Sequence, residues 1–455
     1  MPRSLGRRAA LGGLALLASS GSPALAKLLA VQRNPAQGFT LANGLQVVVL
    51  VSKRAPLVSQ TLVYKVGSAD EVPGQTGAAH FLEHMMFKGT ASIAPAEFSR
   101  TISRNGGRDN AYTSFDQTGY YQTIASDRLE MIMRMEADRM ANLRITEQHM
   151  TPERQVVLEE RRTRTENVPA QLLDESVREA LFGRNRPYGM PISGYPDDIS
   201  KLGVRELTAF YQKYYAPNNA VLIIAGDTTV DTVRRFADKY YGPIPARKIE
   251  PRTRPKDPGA GLPHRLVRAD ARVAEPHWAR DYIAPSYKTG ETQHAYALQV
   301  LARLFGGGET SRLGRALVLD RKMAMSATAG YSAGVIGLSS FGVAVEPGPL
   351  RTIVDIEMAV AEEQKKLLDG GVTPAELERT QNRMLAQAIY AQDSMASGPR
   401  IYANQLGIGG TTADVEEWPQ RISAVTANQV VEAARHVWRD NQAVTSLLVP
   451  AEGRR

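Results

Sequence analysis

Cysteine is absent from all 455 positions. The chain therefore has no disulfide, no cysteine for lipid attachment and no thiolate metal site. Long apolar runs are missing too. The stretch from Ala9 to Ala18 falls well short of the roughly 20 residues that span a bilayer. Charge of one sign is not concentrated anywhere: 55 Lys and Arg face 47 Asp and Glu, interleaved as in Glu159-Glu160-Arg161-Arg162. Such mixing gives nucleic-acid binding little support, and the net charge of +8 reads as ordinary surface that at most favours acidic substrates or a partner. With 43% hydrophobic and 22% charged residues, the chain has material for two or more cored domains and is neither disordered nor fibrous.

The first residues read as an export signal. Arg3, Arg7 and Arg8 precede the apolar stretch, and Ala24-Leu25-Ala26 forms an A-x-A cleavage site, so residues 1–26 are expected to be removed and the mature chain to start near Lys27. Loss of those three arginines takes the charge from +8 to +5. Arg7-Arg8 suits a twin-arginine signal as well as ordinary Sec export. The expected location is the periplasm or the exterior, without a membrane anchor.

Histidine is scarce, 7 in the chain, so where histidines fall carries weight. His80-Phe81-Leu82-Glu83-His84 sets two of them one helical turn apart. On an α-helix, which advances about 100° per residue, His84 lies about 40° around from His80, and both imidazoles can hold one ion. Glu83 lies about 60° to the other side, offset from both and within reach of a metal-activated water; it is the natural general base. The order His-x-x-Glu-His inverts the commoner zinc-hydrolase motif.

A catalytic zinc site takes a third protein ligand and leaves one position open. The run Thr151-Pro152-Glu153-Arg154-Gln155-Val156-Val157-Leu158-Glu159-Glu160-Arg161-Arg162 predicts a helix with Thr151 as N-cap and Pro152 at its first position. On spacing alone Glu153, Glu159 and Glu160 are all candidates, and each is also an ordinary solvated helix charge.

Three motifs together, HFLEHMMFKGT, then DNAYTSFDQTGYY from Asp109 to Tyr121, then ERQVVLEE from Glu153 to Glu160, resemble the pitrilysin and mitochondrial-processing-peptidase family of inverted-motif zinc peptidases. The resemblance covers essentially the whole chain after residue 35. It implies Glu160, 76 residues after His84, as the third ligand beside His80 and His84, Glu83 as the catalytic base, Glu153 as an outer group that orients a ligand, and one Zn2+ per chain. It also implies that Asn110, Ala111 and Tyr112, with Thr113, form a strand beside the metal along which substrate lies extended, held by strand addition. Phe115, Tyr120 and Tyr121 read as core and sheet packing.

The chain also repeats itself. Ile199-Ser200, Asn218 and Ala220-Val221 recur 223 residues later as Ile422-Ser423, Asn441 and Ala443-Val444, and Thr151-Pro152 recurs 222 later as Thr373-Pro374, which indicates a duplicated unit of about 220 residues. Six prolines between Pro243 and Pro263 suit a linker. The expected organisation is a signal over 1–26, a metal-bearing domain over 27–245, a linker over 246–263 and a related domain without metal over 264–455. Each half reads as strand, strand, helix, helix, strand, several helices and a last apolar strand. The fold class is α+β: two homologous domains, each a mainly antiparallel sheet with helices packed on it, which the resemblance arranges as a clam-shell. The second copy of the pentapeptide falls near Ala302 to Gly306, without ligands. His149, His264, His277, His294 and His436 read as scattered, and Gly306-Gly307-Gly308 as a turn.

The reading is a zinc metalloendopeptidase acting on extended peptides or unfolded segments. In the family an Arg and a Tyr, seven apart in the second domain, contact substrate; Val318 and Met325 fall at those positions here, unless Arg321 and Tyr331 replace them. A dimer is therefore expected, either of like chains or a heterodimer with a related subunit that supplies the missing contacts. The rival readings are a non-catalytic assembly subunit and a metal hydrolase of non-peptide substrates.

Overall fold

The computed structural model describes residues 35–256, 264–395 and 397–451. The expected signal, residues 257–263 at the end of the proline-rich segment and the last four residues lie outside them. Two sheets organise the chain. The first contains β1 (Gln37–Thr40), β2 (Gln46–Val51), β3 (Leu57–Tyr64), β4 (Arg108–Thr113), β5 (Thr118–Ala125) and β6 (Ala220–Gly226), in the order β1-β2-β6-β3-β5-β4. The second contains β7 (His264–Asp270), β8 (His277–Ala284), β9 (Ala324–Tyr331), β10 (Ser339–Pro347) and β11 (Ala443–Pro450), in the order β7-β11-β8-β10-β9. Every pairing is antiparallel except β2 with β6 and its counterpart β7 with β11. The repeated apolar segments thus become the same strand of two like sheets.

Strand chemistry explains how the layers stack. β10 alternates buried Phe341, Val343 and Val345 with less buried neighbours, the period-2 pattern of a sheet with one face on a core. β6 is buried throughout, because both of its faces are covered. Leu222 and Ile224 join the main core of the first unit, while Val221 and Ile223 meet Tyr402, Ala403 and Leu406 from a helix of the second unit.

The helices that matter for the site are α1 (Ala78–Met85), α2 (Glu147–Arg161), α3 (Pro169–Phe182), α4 (Ala295–Gly306), α5 (Pro374–Asp393) and α6 (Ser397–Gly407). The units exchange two of them. α6 covers β6 of the first sheet, and Leu173, Val177 and Leu181 of α3 pack on Ile283, Val444 and Leu448 of the second. Spaced by four, those three α3 residues form one apolar stripe. Burying each contributes about 1.5–3 kcal/mol.

Two details differ from the sequence reading. α2 starts at Glu147 under an N-cap from Thr146, whose hydroxyl accepts from His149 N, and Pro152 lies inside the helix. The added turn buries Met150 completely, which outweighs the backbone hydrogen bond that proline forfeits. The single strand expected after the first two helices is instead the hairpin β4-β5, turned at Ser114, whose N–H and hydroxyl both bond to Gln117 O.

Candidate metal centre

α1 is amphipathic in the way its chemistry requires. Ala78, Phe81, Leu82 and Met85 face the core, and His80, Glu83 and His84 share the partly exposed side. Its first turn lacks a side-chain N-cap; Gly77 sits there at φ 88°. Glu71 supplies the acceptor instead, taking Gly77 N–H at 2.8 Å and Ala79 N–H at 2.7 Å. Burial raises the Glu71 pKa well above the carboxylate range despite those two donors.

α2 crosses α1 and brings Glu160 to the histidines. Glu160 Oε2 is 3.2 Å from His84 Nε2, and Glu160 Oε1 is 3.7 Å from His80 Nε2. Two ligand atoms at zinc-binding distance from one tetrahedral ion stand about 3.4 Å apart, so these separations suit a shared ion. One donor atom from each of His80, His84 and Glu160 lies within 4.8 Å of the other two. His84 Nδ1 meets Glu153 Oε1 at 2.9 Å, which directs Nε2 toward Glu160, the carboxylate-histidine arrangement that commonly orients a metal ligand. Glu153 is in turn paired with Lys88. The donor set therefore fits zinc. Glu159 points away and pairs with Arg162 at 2.9 Å.

The electrostatics follow from the crowding of these groups. Burial, together with the His84 charge, lowers the His80 pKa to about 4. Burial also acts to lower His84, but hydrogen bonds to Glu153 and Glu160 outweigh it and raise its pKa to about 9. Glu160 is held near 2, chiefly by its hydrogen bond with His84. Burial raises Glu83, opposed by the Thr113 hydroxyl, which donates to Glu83 Oε2 at 2.5 Å.

A cavity of about 640 Å³ opens over these side chains and is also lined by Asn110, Ala111, Tyr112 and Thr113. β4 is the last strand of its sheet, so its outer edge is unpaired among the described residues. The Tyr112 hydroxyl accepts from Gln117, and the guanidinium of Arg400 on α6 lies 4.7 Å from its ring centre. Tyr120 is fully buried and its hydroxyl bonds to that of Tyr215, while Phe115 packs edge-on against Tyr188. Both are packing residues, as read from the sequence.

Other expectations resolve elsewhere in the molecule. Arg321 pairs with Glu362 and Glu363, and the Tyr331 hydroxyl donates to Pro285 O at 2.6 Å. Val318 packs on the second core, and Met325 is 67% exposed. A second His-Glu group, unread in the sequence because its members lie 142 residues apart, joins His294 and His436 with ring centres 4.8 Å apart, and places Glu291 3.4 and 3.5 Å from their nitrogens.

The chain can be set beside known proteins on this basis. Residues 47–194 match the family described as "Insulinase (Peptidase family M16)", and residues 201–384 match "Peptidase M16 inactive domain". The latter description agrees with a second unit in which the His-x-x-Glu-His pentapeptide does not recur. "Zinc protease PqqE" of Helicobacter pylori is 29% identical over 420 residues, 91% of this chain and 93% of that protein. "Uncharacterized zinc protease ML0855" of Mycobacterium leprae is 30% identical over 402 residues, 86% of each. The crystal structure of a protease from Helicobacter pylori superposes with a TM-score of 0.82 at 28% identity, covering 91% of this chain and 99% of that one. Relatives named as zinc proteases support a protease function. A likeness that runs through both halves at this length and identity makes the chain a member of peptidase family M16, the pitrilysin-like family that its three motifs resemble.

Proposed function

We propose that the chain is a zinc-dependent endopeptidase that hydrolyses extended peptides or unfolded protein segments. The observation that carries this reading is the convergence of His80, His84 and Glu160 with Glu83 beside them in a cavity bordered by an open strand edge. His80, His84 and Glu160 would hold one zinc ion per chain. Zinc, when bound, supplies a Lewis acid that polarises the scissile carbonyl and acidifies water. Glu83 takes the proton of the attacking water and returns it to the leaving nitrogen; its burial favours the protonated carboxyl that this return needs. Thr113 occupies Glu83 Oε2, so Oε1 is the oxygen left for proton transfer. Glu153 holds the His84 ring in place through Nδ1. Asn110, Ala111 and Tyr112 on the β4 edge bind backbone of any sequence by strand addition, and the side chains of the cavity set preference.

The test is zinc content and peptide cleavage of the full chain beside Glu83→Gln. The expected result is about one zinc in each protein and a loss of roughly 10²–10⁴-fold in cleavage for the variant. Equal cleavage by both would remove Glu83 from the mechanism, and failure to bind zinc would end the reading.

A second subunit is part of the proposal. Apolar Val318 and Met325, with Arg321 and Tyr331 engaged elsewhere, favour a dimer in which a related chain contributes polar substrate contacts. The same observation favours the second reading, an assembly subunit without activity of its own. Full activity of the purified chain, unchanged by a co-expressed paralogue, would sink both. Export to the periplasm rests on residues 1–26, and N-terminal sequencing of the protein made in its host should find a start near Lys27.

A further inference from the structure

The two units can be matched through the faces that line their cavities. His80, Glu83 and His84 correspond to Gln299, Ala302 and Arg303, each 219 residues on; Glu153, Glu160 and Arg164 correspond to Glu376, Arg383 and Gln387, each 223 on. The first set lines one cavity beside the edge strand β4; of the second, Gln299, Ala302, Arg303 and Gln387 line a cavity beside the equivalent edge strand β9, where strand register matches Thr113 with Tyr331, and Arg303, Glu376 and Arg383 line a neighbouring one. The counterpart of the pentapeptide thus begins three residues before the segment that the simple repeat indicates. Two of the three cation ligands are not merely lost: Arg303 stands for His84, and Arg383 for Glu160.

Those two arginines do not stand alone. Arg315 and Arg379 line the same cavity, about 480 Å³ in volume, together with Arg312. Arg312 is neutralised, since it grips both oxygens of Glu376 at 2.7 Å. Arg383 donates to the Thr310 hydroxyl at 2.7 Å. Among the described residues, Arg303, Arg315 and Arg379 have no carboxylate partner, and Arg303 Nε is buried without a hydrogen bond. Burial and the nearby Arg383 charge both lower the Arg303 pKa, as expected of like charges held together without a counterion. A buried donor without an acceptor is costly, and a bound anion would relieve both the repulsion and the unmet donor.

We propose that this cavity of the second unit binds a small, multiply charged oxyanion of the oligophosphate class, held in part by Arg303 and Arg383, the counterparts of two of the first unit's candidate cation ligands. Four uncompensated guanidiniums from three segments, α4, α5 and the π-helical Gly314–Asp320, surround it. Planar forks of this kind suit phosphate oxygens. The inference does not depend on zinc or on peptidase activity.

Calorimetric titration of the full chain with tripolyphosphate tests it, with orthophosphate and citrate as the other arms. Saturable binding of one tripolyphosphate per chain is expected, weaker with orthophosphate and citrate and weakened by salt. Arg303→Gln and Arg383→Gln should each reduce affinity roughly tenfold or more, and Arg205→Gln should leave it unchanged. Arg383 is exposed, so its variant remains a folded test should Arg303→Gln fail to fold. Absence of saturable binding, or undiminished binding in Arg383→Gln, would overturn the site; citrate binding as tightly as tripolyphosphate would overturn the phosphate class.

Discussion

Arg254 Nη2 lies 2.8 Å from Asp116 Oδ1, a pair separated by 138 residues and almost wholly buried on both sides. Asp70 receives the same nitrogen at 2.9 Å, and Asp116 also accepts from the Tyr188 hydroxyl and from Ile336 N–H of the second unit. The proline-rich connection is thus pinned between the domains where it passes them. Removing one member leaves a buried charge unpaired, so Arg254→Ala or Asp116→Ala should destabilise the protein by about 3–5 kcal/mol. Chemical denaturation would check this, and the double variant should cost less than the sum of the two.

In the proposed metal centre Glu153 would act on zinc through His84, whose Nδ1 lies 2.9 Å from its Oε1. Glu153→Gln weakens its bond to His84 Nδ1, and zinc affinity should fall roughly 10–100-fold with the circular dichroism unchanged. Competition against a chromophoric chelator reads this directly.

Gly77 opens the ligand helix at φ 88°, where a Cβ would sit 2.8 Å from Ser193 O and 3.1 Å from Gly194 Cα. Gly77→Ala should therefore lower stability by roughly 1–3 kcal/mol and weaken zinc binding as α1 shifts. Melting temperature and metal content measured on one preparation would show both effects.

Asp281 on β8 is held up to about 7 by burial, with Asp174 of α3 adding to the rise and Arg178 opposing it. Its value in the unfolded chain is about 3.9. A carboxyl raised on folding favours the fold while protonated: that contribution is complete below about pH 4 and is lost as pH climbs through about 7. Asp281→Asn should leave stability at pH 4 nearly unchanged and raise it at pH 8 by roughly 1–3 kcal/mol. Denaturant midpoints at the two pH values would decide it.

The ligand helix is legible because apolar and polar residues alternate on a 3.6-residue period around the very side chains that do chemistry. The start of α2 is not. Thr-Pro does begin a helix at Thr373-Pro374, where Thr373 caps and accepts from Glu376 N, yet the same dipeptide at 151–152 sits inside one, because burying Met150 outweighs the local signal. The apolar stripe of Leu173, Val177 and Leu181 is equally visible, but a stripe says only that a face is buried and never against which sheet. Arg303 and Arg383 were hidden by a register that drifts from 219 to 223 between α1 and α2.

The exchange of α3 and α6 between the two units has a consequence for how such a chain can evolve. Each half keeps part of its partner's hydrophobic seal: cut at the connection, the half with the candidate metal centre would keep α3 with nothing to cover and lose the lid over β6. A duplicated gene arranged this way can let one copy's chemistry decay or change its ligand, but it cannot discard that copy. The silent half is retained as structural collateral, free to acquire a task of its own.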